Sequence, residues 1–330
     1  MPTLLTIILD AFRAASQREV MPTTLGTAEL RDLGEDVLAR SVFTAHGCHA
    51  VFVSKIKEVV DLLVAGDIDE ATARVTLLET LKTLAYTPEG GFTDAPAGQV
   101  PPAIKGTLQD LSSLRRLKLI VETQRALMTG AGQQARGSEP ARLKLYPAWE
   151  LIREISVKVP RNWGGAYIGI PKRGTDPRSR WTIAGGTLTA DRMIALKGDP
   201  IWGELGGYGN FPDALGVDHP PFAFNSGMGW QEISRDEVAK LGITGPNGET
   251  PTEYHGGPVR PRTLAGPVPQ ISSRTMDPEI RKSFEQKADA VTVEGTTVPR
   301  SRADEIRARM ATRLEKSIAD RKAEYAAGGD

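Results

Sequence analysis

The chain has 330 residues, and its 41 Lys and Arg balance 41 Asp and Glu, so the formal net charge is zero at pH 7. This balance excludes a globally basic nucleic-acid binder, although a local basic patch can still act over about one Debye length. Cys48 is the single cysteine, which excludes an internal disulfide. The apolar stretch Leu4–Leu9 lacks a preceding basic region and is far shorter than the ~20 residues of a membrane span. We therefore expect neither a signal peptide nor a membrane helix.

The N-terminal part of the chain has the pattern of packed helices. Apolar side chains recur at helical spacing in Lys55–Val64. The turn Gly66–Asp69 should end this helix and offer carboxylates to the free N–H groups of the next one, which predicts an αα-hairpin. Residues 86–106 are too rich in proline and glycine for a long element and predict a loop or extended arm. A third helix is predicted to begin at Leu108 and to stop at Gly130.

All five tryptophans lie between Tyr146 and Trp230, in a segment rich in glycine and proline. Large rings among such residues are typical of a small domain that builds its core from few regular elements. Prolines cut the segment into lengths that suit short strands, turns and one or two short helices. A further helix is predicted at Ser234–Lys240, with Ser234 as its N-cap and Gly242 beyond its end.

A final helix is predicted from Ser301 to Tyr325. Its apolar residues form a narrow stripe flanked by charged side chains, and they are Ile306, Met310, Leu314 and Ile318. We predict that this stripe docks on a protein partner, because the charge of the helix is nearly balanced. The predicted fold class is α+β, with a helical region at 1–135, a tryptophan-rich α+β domain at 136–245, and a linker with C-terminal helices at 246–330.

The segment His46-Gly47-Cys48-His49 places three side chains that can ligate soft metals within four residues. Tetrahedral sites draw on two separated ligand pairs, and the sequence shows no second pair, so buried or interfacial side chains are the alternative interpretation. The glycine pairs are not followed by the Lys-Ser or Lys-Thr of a phosphate-binding loop. We therefore predict no metal and no cofactor.

A hydrolase or transferase would use Ser226 and His219, with Asp191, Asp199 or Glu204 as a nearby acid. Ser226 lacks the upstream glycine of a G-x-S-x-G nucleophile elbow. Serines and acids in glycine-rich turns also have structural roles. An enzyme is therefore kept as an alternative, and no residue is assigned as catalytic.

Residues 161–181 carry five basic side chains and three aromatic rings against one acid, Asp176. Basic and aromatic side chains together can neutralise phosphates and stack on bases. The alternative is a solvated loop whose arginines pack on tryptophan faces. The candidate DNA-contacting residues are Arg161, Lys172, Arg173, Arg178, Arg180, Trp163 and Trp181.

The chain carries an ordered series of short motifs. They are SVFTA at 41–45, ATAR at 71–74, YTP at 86–88, YPAWEL at 146–151, PRNW at 160–163, RW at 180–181, GG at 185–186, RMIALK at 192–197, DPIW at 199–202 and PPFAFNSGM at 220–228. This series resembles the Mu F-like minor head proteins of tailed phages and prophages, over roughly residues 35–245. Better-known members have a Cys-Arg-Cys-like element where this chain has Phe224–Met228, so no metal or disulfide role is carried over.

The resemblance implies a non-enzymatic, low-copy structural protein that enters the procapsid with the portal and sits at or near the portal vertex. In some relatives such a protein contacts DNA and assists its ejection. The partners that it implies are the portal protein, the major capsid protein or both, with double-stranded DNA as a further contact and no membrane. The expected location is the virion head, and the host cytoplasm during assembly. A capsid scaffold or a head–tail connector is the second alternative, which copy number in purified virions would separate.

Overall fold

The structure, a computed structural model, describes residues 18–31, 41–93, 101–164, 178–245 and 248. These ranges contain eight helices and five strands, which confirms the predicted α+β fold for this part of the chain. No helix within them is long and apolar enough to cross a bilayer. The predicted C-terminal helix lies outside the described residues, together with Ile306, Met310, Leu314 and Ile318.

The order of the elements places most helices before most strands. The helices are α1 (Thr27–Arg31), α2 (Ala50–Ala65), α3 (Glu70–Thr83), α4 (Leu114–Gly137), α5 (Pro140–Leu145), α6 (Arg180–Ile183), α7 (Ile201–Gly206) and α8 (Arg235–Lys240). The strands are β1 (Glu19–Val20), β2 (Ser41–Val42), β3 (Ala148–Arg153), β4 (Ile194–Leu196) and β5 (Met228–Ile233). β1 and β2 pair in parallel, whereas β3 is the central strand of an antiparallel sheet with the order β4-β3-β5.

The predicted αα-hairpin is confirmed by α2 and α3, which pack on each other. Gly66 ends α2 with a φ of 76°, a left-handed conformation that costs glycine little. Its N–H donates to the carbonyl of Leu63 at 3.1 Å. Asp69 then caps α3, because its carboxylate accepts the N–H of Thr72 at 2.7 Å. The two helices and α4 surround one apolar core.

The arm before α4 is a series of turns, so the predicted helix start at Leu108 is wrong. The carboxylate of Asp110 accepts the N–H of Gly106 at 2.9 Å and holds a turn where the helix was expected. Ser113 is the N-cap instead, and its hydroxyl accepts the N–H of Arg116 at 3.1 Å. α4 therefore begins at the first residue after this serine.

Glycines within α4 let the tryptophan-rich domain approach the helix closely. A Cβ at Gly130 would lie 2.0 Å from the carbonyl oxygen of Pro220, and one at Gly137 would lie 2.2 Å from the Trp149 ring. The predicted stop at Gly130 is wrong because this packing needs a helical residue without a side chain. The helix continues to Gly137, so the predicted domain boundary after residue 135 falls within its last turn.

The prediction that the tryptophans form the core of the central segment is confirmed. Trp149 and Trp230 stack with ring centroids 4.8 Å apart and planes at 8°. Trp202 meets Trp230 edge to face at 5.3 Å, and Phe222 meets Trp230 in the same manner at 5.7 Å. Such offset and edge-to-face pairs are favoured by the ring quadrupoles. The rings therefore give this loop-rich segment an aromatic core, beside a second apolar cluster that includes Ala148, Ile194, Leu196 and Ile233.

Candidate functional site

Two arginines of the basic segment converge on one carboxylate, Asp213. Nη1 of Arg180 lies 2.7 Å from Oδ1 of Asp213, and Nε of Arg161 lies 2.5 Å from Oδ2. Arg180 also donates from Nε and Nη2 to the carbonyl of Leu205, at 3.2 and 2.9 Å. Arg161 donates to the carbonyl of Phe224 at 2.6 Å. Both guanidinium groups thus bind within the protein and hold the loops of the domain together.

The Arg180–Asp213 pair lies at the edge of the core, where charges interact strongly. The Arg180 side chain is 6% exposed, whereas that of Asp213 is 33% exposed. Burial lowers the pKa of Arg180, and the charge of Asp213 opposes that effect. Burial alone would raise the pKa of Asp213, but the charges of Arg180 and Arg161 hold it below its ordinary value. The pair therefore stays ionised at neutral pH.

Trp163 and Trp181 belong to the interior of the domain, with 0% and 1% exposure. The guanidinium of Arg180 lies 4.7 Å from the Trp163 ring centroid and 3.9 Å from that of Phe211. Nε1 of Trp181 donates to the carbonyl of Thr187 at 2.9 Å. Neither indole face is open to a base, which corrects the assignment of Trp163, Trp181 and Arg180 as DNA contacts. Packing of arginine on tryptophan, the alternative raised by the sequence, describes Arg180.

The remaining basic residues of the segment are Arg161, Lys172, Arg173 and Arg178. Arg178 is exposed, and Arg161 is one-third exposed beside Asp213. Lys172 and Arg173 lie outside the described residues. Contact with DNA therefore stays a prediction for Arg178, Lys172 and Arg173. It also stays a prediction for the exposed part of Arg161, which is paired with Asp213.

Ser226 and His219 are buried in the turn that precedes β5. The Ser226 hydroxyl donates to the carbonyl of Pro221 at 2.6 Å and accepts the N–H of Met228 at 3.1 Å. Nδ1 of His219 lies 2.8 Å from the carbonyl oxygen of Pro220, and burial lowers the pKa of this histidine. Ser226 satisfies main-chain groups at both ends of the turn, and its burial closes it to substrates.

The acids proposed beside Ser226 have local structural contacts. Oδ1 of Asp199 accepts the N–H of Ile201 at 2.9 Å, at the start of α7. Oε2 of Glu204 accepts from Nδ2 of Asn210 at 2.6 Å. Asp191 occupies a turn with a φ of 60°, a conformation that aspartate tolerates better than most residues. These contacts are typical of capping and turn formation.

The side chains of His46, Cys48 and His49 have different surroundings. Nδ1 of His46 lies 2.9 Å from the carbonyl oxygen of Thr24. Cys48 is buried, and the ring of His49 lies 5.0 Å from that of Phe92. Across the described ranges, no group of three or more His, Cys, Asp or Glu side chains is placed to hold a metal ion. Cys48 is therefore buried, whereas His46 and His49 are half-buried and have a main-chain contact and an aromatic contact, respectively.

A buried lysine is the feature that sequence reasoning missed. Nζ of Lys197 lies 2.7 Å from Oε1 of Glu232 and 3.0 Å from the carbonyl of Gly137. The ammonium also lies 4.2 Å from the centroid of a Trp149 ring, and Arg142 bonds the same Glu232. Burial lowers the pKa of Lys197 to about 8. The signal in the sequence was a lysine directly after the three apolar residues of β4, which the structure shows to be buried.

No protein-family model, curated protein or solved structure matches the chain. These comparisons therefore assign neither a family nor a function.

Proposed function

We propose that the protein is a non-enzymatic structural component of a tailed-phage head that acts at or near the portal vertex. The observation that carries this proposal is the place of the motifs with Mu F-like resemblance. Their large side chains coincide with the core of one domain, and they are Trp149, Trp163, Trp181, Trp202 and Phe222. Large aromatic side chains gather in the core of most folded domains, so the core gives these motif residues a packing role, and the family assignment rests on the resemblance itself.

The same core favours an assembly role over an enzymatic one. Its conspicuous polar residues are committed to the fold: Arg180 to Asp213 and Leu205, and Ser226 to main-chain groups. A catalytic serine needs an accessible hydroxyl with a base beside it. A module whose loops are tied together by these arginine and serine contacts is suited to holding a fixed position between other subunits.

The arm before α4 offers a docking surface for the portal protein. Its exposed apolar side chains are Ile104 and Leu108, and the exposed Leu114 follows as the first residue of α4. Contiguous exposed apolar patches mark protein–protein contacts, and we propose that these three side chains form one. Asp110 and Ser113 hold the arm through hydrogen bonds, so it presents these side chains in an ordered conformation.

Co-expression with the portal protein of the same phage tests this proposal. We expect the tagged chain to retain the portal protein through affinity purification at moderate salt. A variant with Ile104, Leu108 and Leu114 changed to serine should retain much less, whereas Val75→Ser, an exposed site on α3, should behave as the native chain. Absence of the portal protein from the native preparation would count against a portal-vertex role.

We also propose that Arg178, Lys172 and Arg173 supply a weak contact with packaged DNA. Phosphate contacts release counterions, so affinity should fall with salt. Fluorescence anisotropy with a short duplex should show weaker binding and a shallower salt dependence when the three residues are changed to alanine. Identical curves for the native and triple-alanine chains would remove DNA from the set of partners.

A further inference from the structure

A cavity of about 100 Å³ lies between α1, α4 and the loops that precede β5. Most of its wall is apolar. The apolar side chains in it include Leu30, Phe43, Ile120, Leu127 and Phe224. An apolar cavity of roughly 150 Å³ holds a benzene molecule, so this one has room for a single aliphatic side chain. Thr27 is exposed and Arg31 is half-buried, so this side of the wall reaches the surface.

The first charged group of the wall is the guanidinium of Arg31. Its Nη2 donates to the carbonyl of Pro212, and the guanidinium lies 5.8 Å from the centroid of the Tyr208 ring. The hydrogen bond to Pro212 is exposed to solvent. A guanidinium carries five N–H donors in a planar fork that matches a carboxylate, so this bond leaves other donors for an incoming anion.

The second charged group is the guanidinium of Arg116, in the first turn of α4. Its Nη2 donates to the hydroxyl of Thr44 at 2.6 Å and to the carbonyl of Ala45 at 3.1 Å. Its Nη1 donates to the carbonyl of Leu108 at 3.3 Å, through a bond that is exposed to solvent. Because Nη1 carries two hydrogens, its second N–H is the accessible donor of this arginine.

The described residues of the wall include no Asp or Glu to balance these charges. Arg18 is a third arginine of the wall, but it is buried; burial lowers its pKa to about 9, and the charge of Asp61 opposes that effect. Burial also lowers the pKa of Arg116, and there the opposing effect comes from Tyr86 rather than from a carboxylate. An apolar cavity beside positive charge that its wall does not balance is complementary to an anionic group with an apolar part.

We propose that the cavity is a docking site for an acidic segment of a partner protein. One leucine-sized side chain of that segment fills the cavity, and carboxylates next to it in the segment bind Arg31 and Arg116. An apolar anchor that fills a pocket at the centre of a contact supplies much of the binding energy of protein interfaces.

The surroundings of the cavity favour a protein segment over a small free acid. Arg116 bonds to Leu108 in the arm before α4, where the side chains of Ile104 and Leu108 are exposed. A segment that enters the cavity therefore finds further apolar surface beside it, whereas a free acid would contact the cavity alone. Recognition of such a segment does not require the proposed role in a phage head.

Titration of the full chain into a blocked, fluorescein-labelled peptide of sequence GDELDEG tests the proposal. Fluorescence anisotropy should show saturable binding that weakens as salt is added, because the contacts with Arg31 and Arg116 are ionic. The peptides GDESDEG, which lacks the apolar anchor, and GNQLNQG, which lacks carboxylates, should each bind at least about tenfold more weakly. Free 4-methylpentanoate, which joins one carboxylate to the same apolar group, should not displace the peptide at equal concentration.

Two pairs of variants place the peptide in the cavity. Thr27→Glu adds a carboxylate to the wall and should weaken binding by about fivefold or more through repulsion. Ala28→Glu adds the same charge to an exposed position of α1 outside the wall and should weaken binding much less. Both variants should melt like the native chain, because a carboxylate in the first turn of a helix is favourable. Arg31→Gln should also weaken binding, whereas Arg115→Gln, exposed on α4 and outside the wall, should not.

Several results would overturn the docking site. They are absence of saturable binding of GDELDEG, equal affinity for GDESDEG, and equal effects of Thr27→Glu and Ala28→Glu. Displacement of the peptide by 4-methylpentanoate at equal concentration would assign the cavity to a free acid and would overturn the partner segment.

Discussion

Arg180 provides the sharpest test of the structure, because the sequence allows it to face DNA and the structure places it in the core. Arg180→Met keeps much of the side-chain volume but removes the hydrogen bonds to Asp213 and Leu205. Breaking a buried ion pair from one side costs about 3–5 kcal/mol. Asp213 is one-third exposed and keeps its ion pair with Arg161, so leaving it without Arg180 costs less free energy than a fully buried charge would. We expect a loss of about 2–3 kcal/mol in the free energy of unfolding.

Urea unfolding of the native chain and the variant measures this loss, with equal m-values as the check that both unfold alike. Arg115→Met is the control, since that arginine is exposed on α4, and it should change stability by less than about 0.5 kcal/mol. Asp213→Asn and the double variant complete a cycle that should give a coupling of at least about 0.5 kcal/mol. An Arg180→Met variant of native stability that binds DNA more weakly would refute the structural role of Arg180.

Three further predictions concern packing, protonation and the buried serine. Gly130→Ala should destabilise by about 1–3 kcal/mol because its Cβ would clash with Pro220, whereas Gly203→Ala, where a Cβ meets nothing within 4 Å, should be neutral or stabilising. A stable Gly130→Ala chain in urea unfolding would contradict this packing of α4. Because the pKa of Lys197 is lowered to about 8, the unfolded chain binds more protons above that pH, so native stability should rise relative to Lys197→Met between about pH 8 and 10. A constant difference in melting temperature across this range would refute the buried ammonium. Ser226→Ala should cost about 1 kcal/mol in urea unfolding and leave infectivity intact at permissive temperature. A stably folded variant without infectivity would favour the enzyme alternative.

Local signals in the sequence were sufficient for the helix ends that depend on neighbouring residues. Gly66 and Asp69 end one helix and cap the next, and Ser234 caps α8 with Gly242 beyond its end at a φ of 64°. Each of these contacts lies within a few residues of the helix, so composition and spacing specify them. The tryptophan core was predictable for a related reason, because five large rings in one short segment have few ways to avoid water.

Contacts between distant parts of the chain were not predictable in the same way. Gly130 has the local signature of a helix stop, but its packing against Pro220 gives it a place inside α4. Arg180 pairs with Asp213, which lies 33 residues further on. Gln134 meets the main chain of Asp218 across 84 residues. Periodicity and capping rules do not encode such pairs, so they could not identify the buried arginine.

The composition of purified particles tests the central claim most directly. Quantitative mass spectrometry should be applied to DNA-filled heads and procapsids, with the portal protein as an internal standard. The proposed role at the portal vertex predicts that the chain is present in both, in fewer copies than the portal protein. Absence of the chain from both kinds of particle would contradict that role.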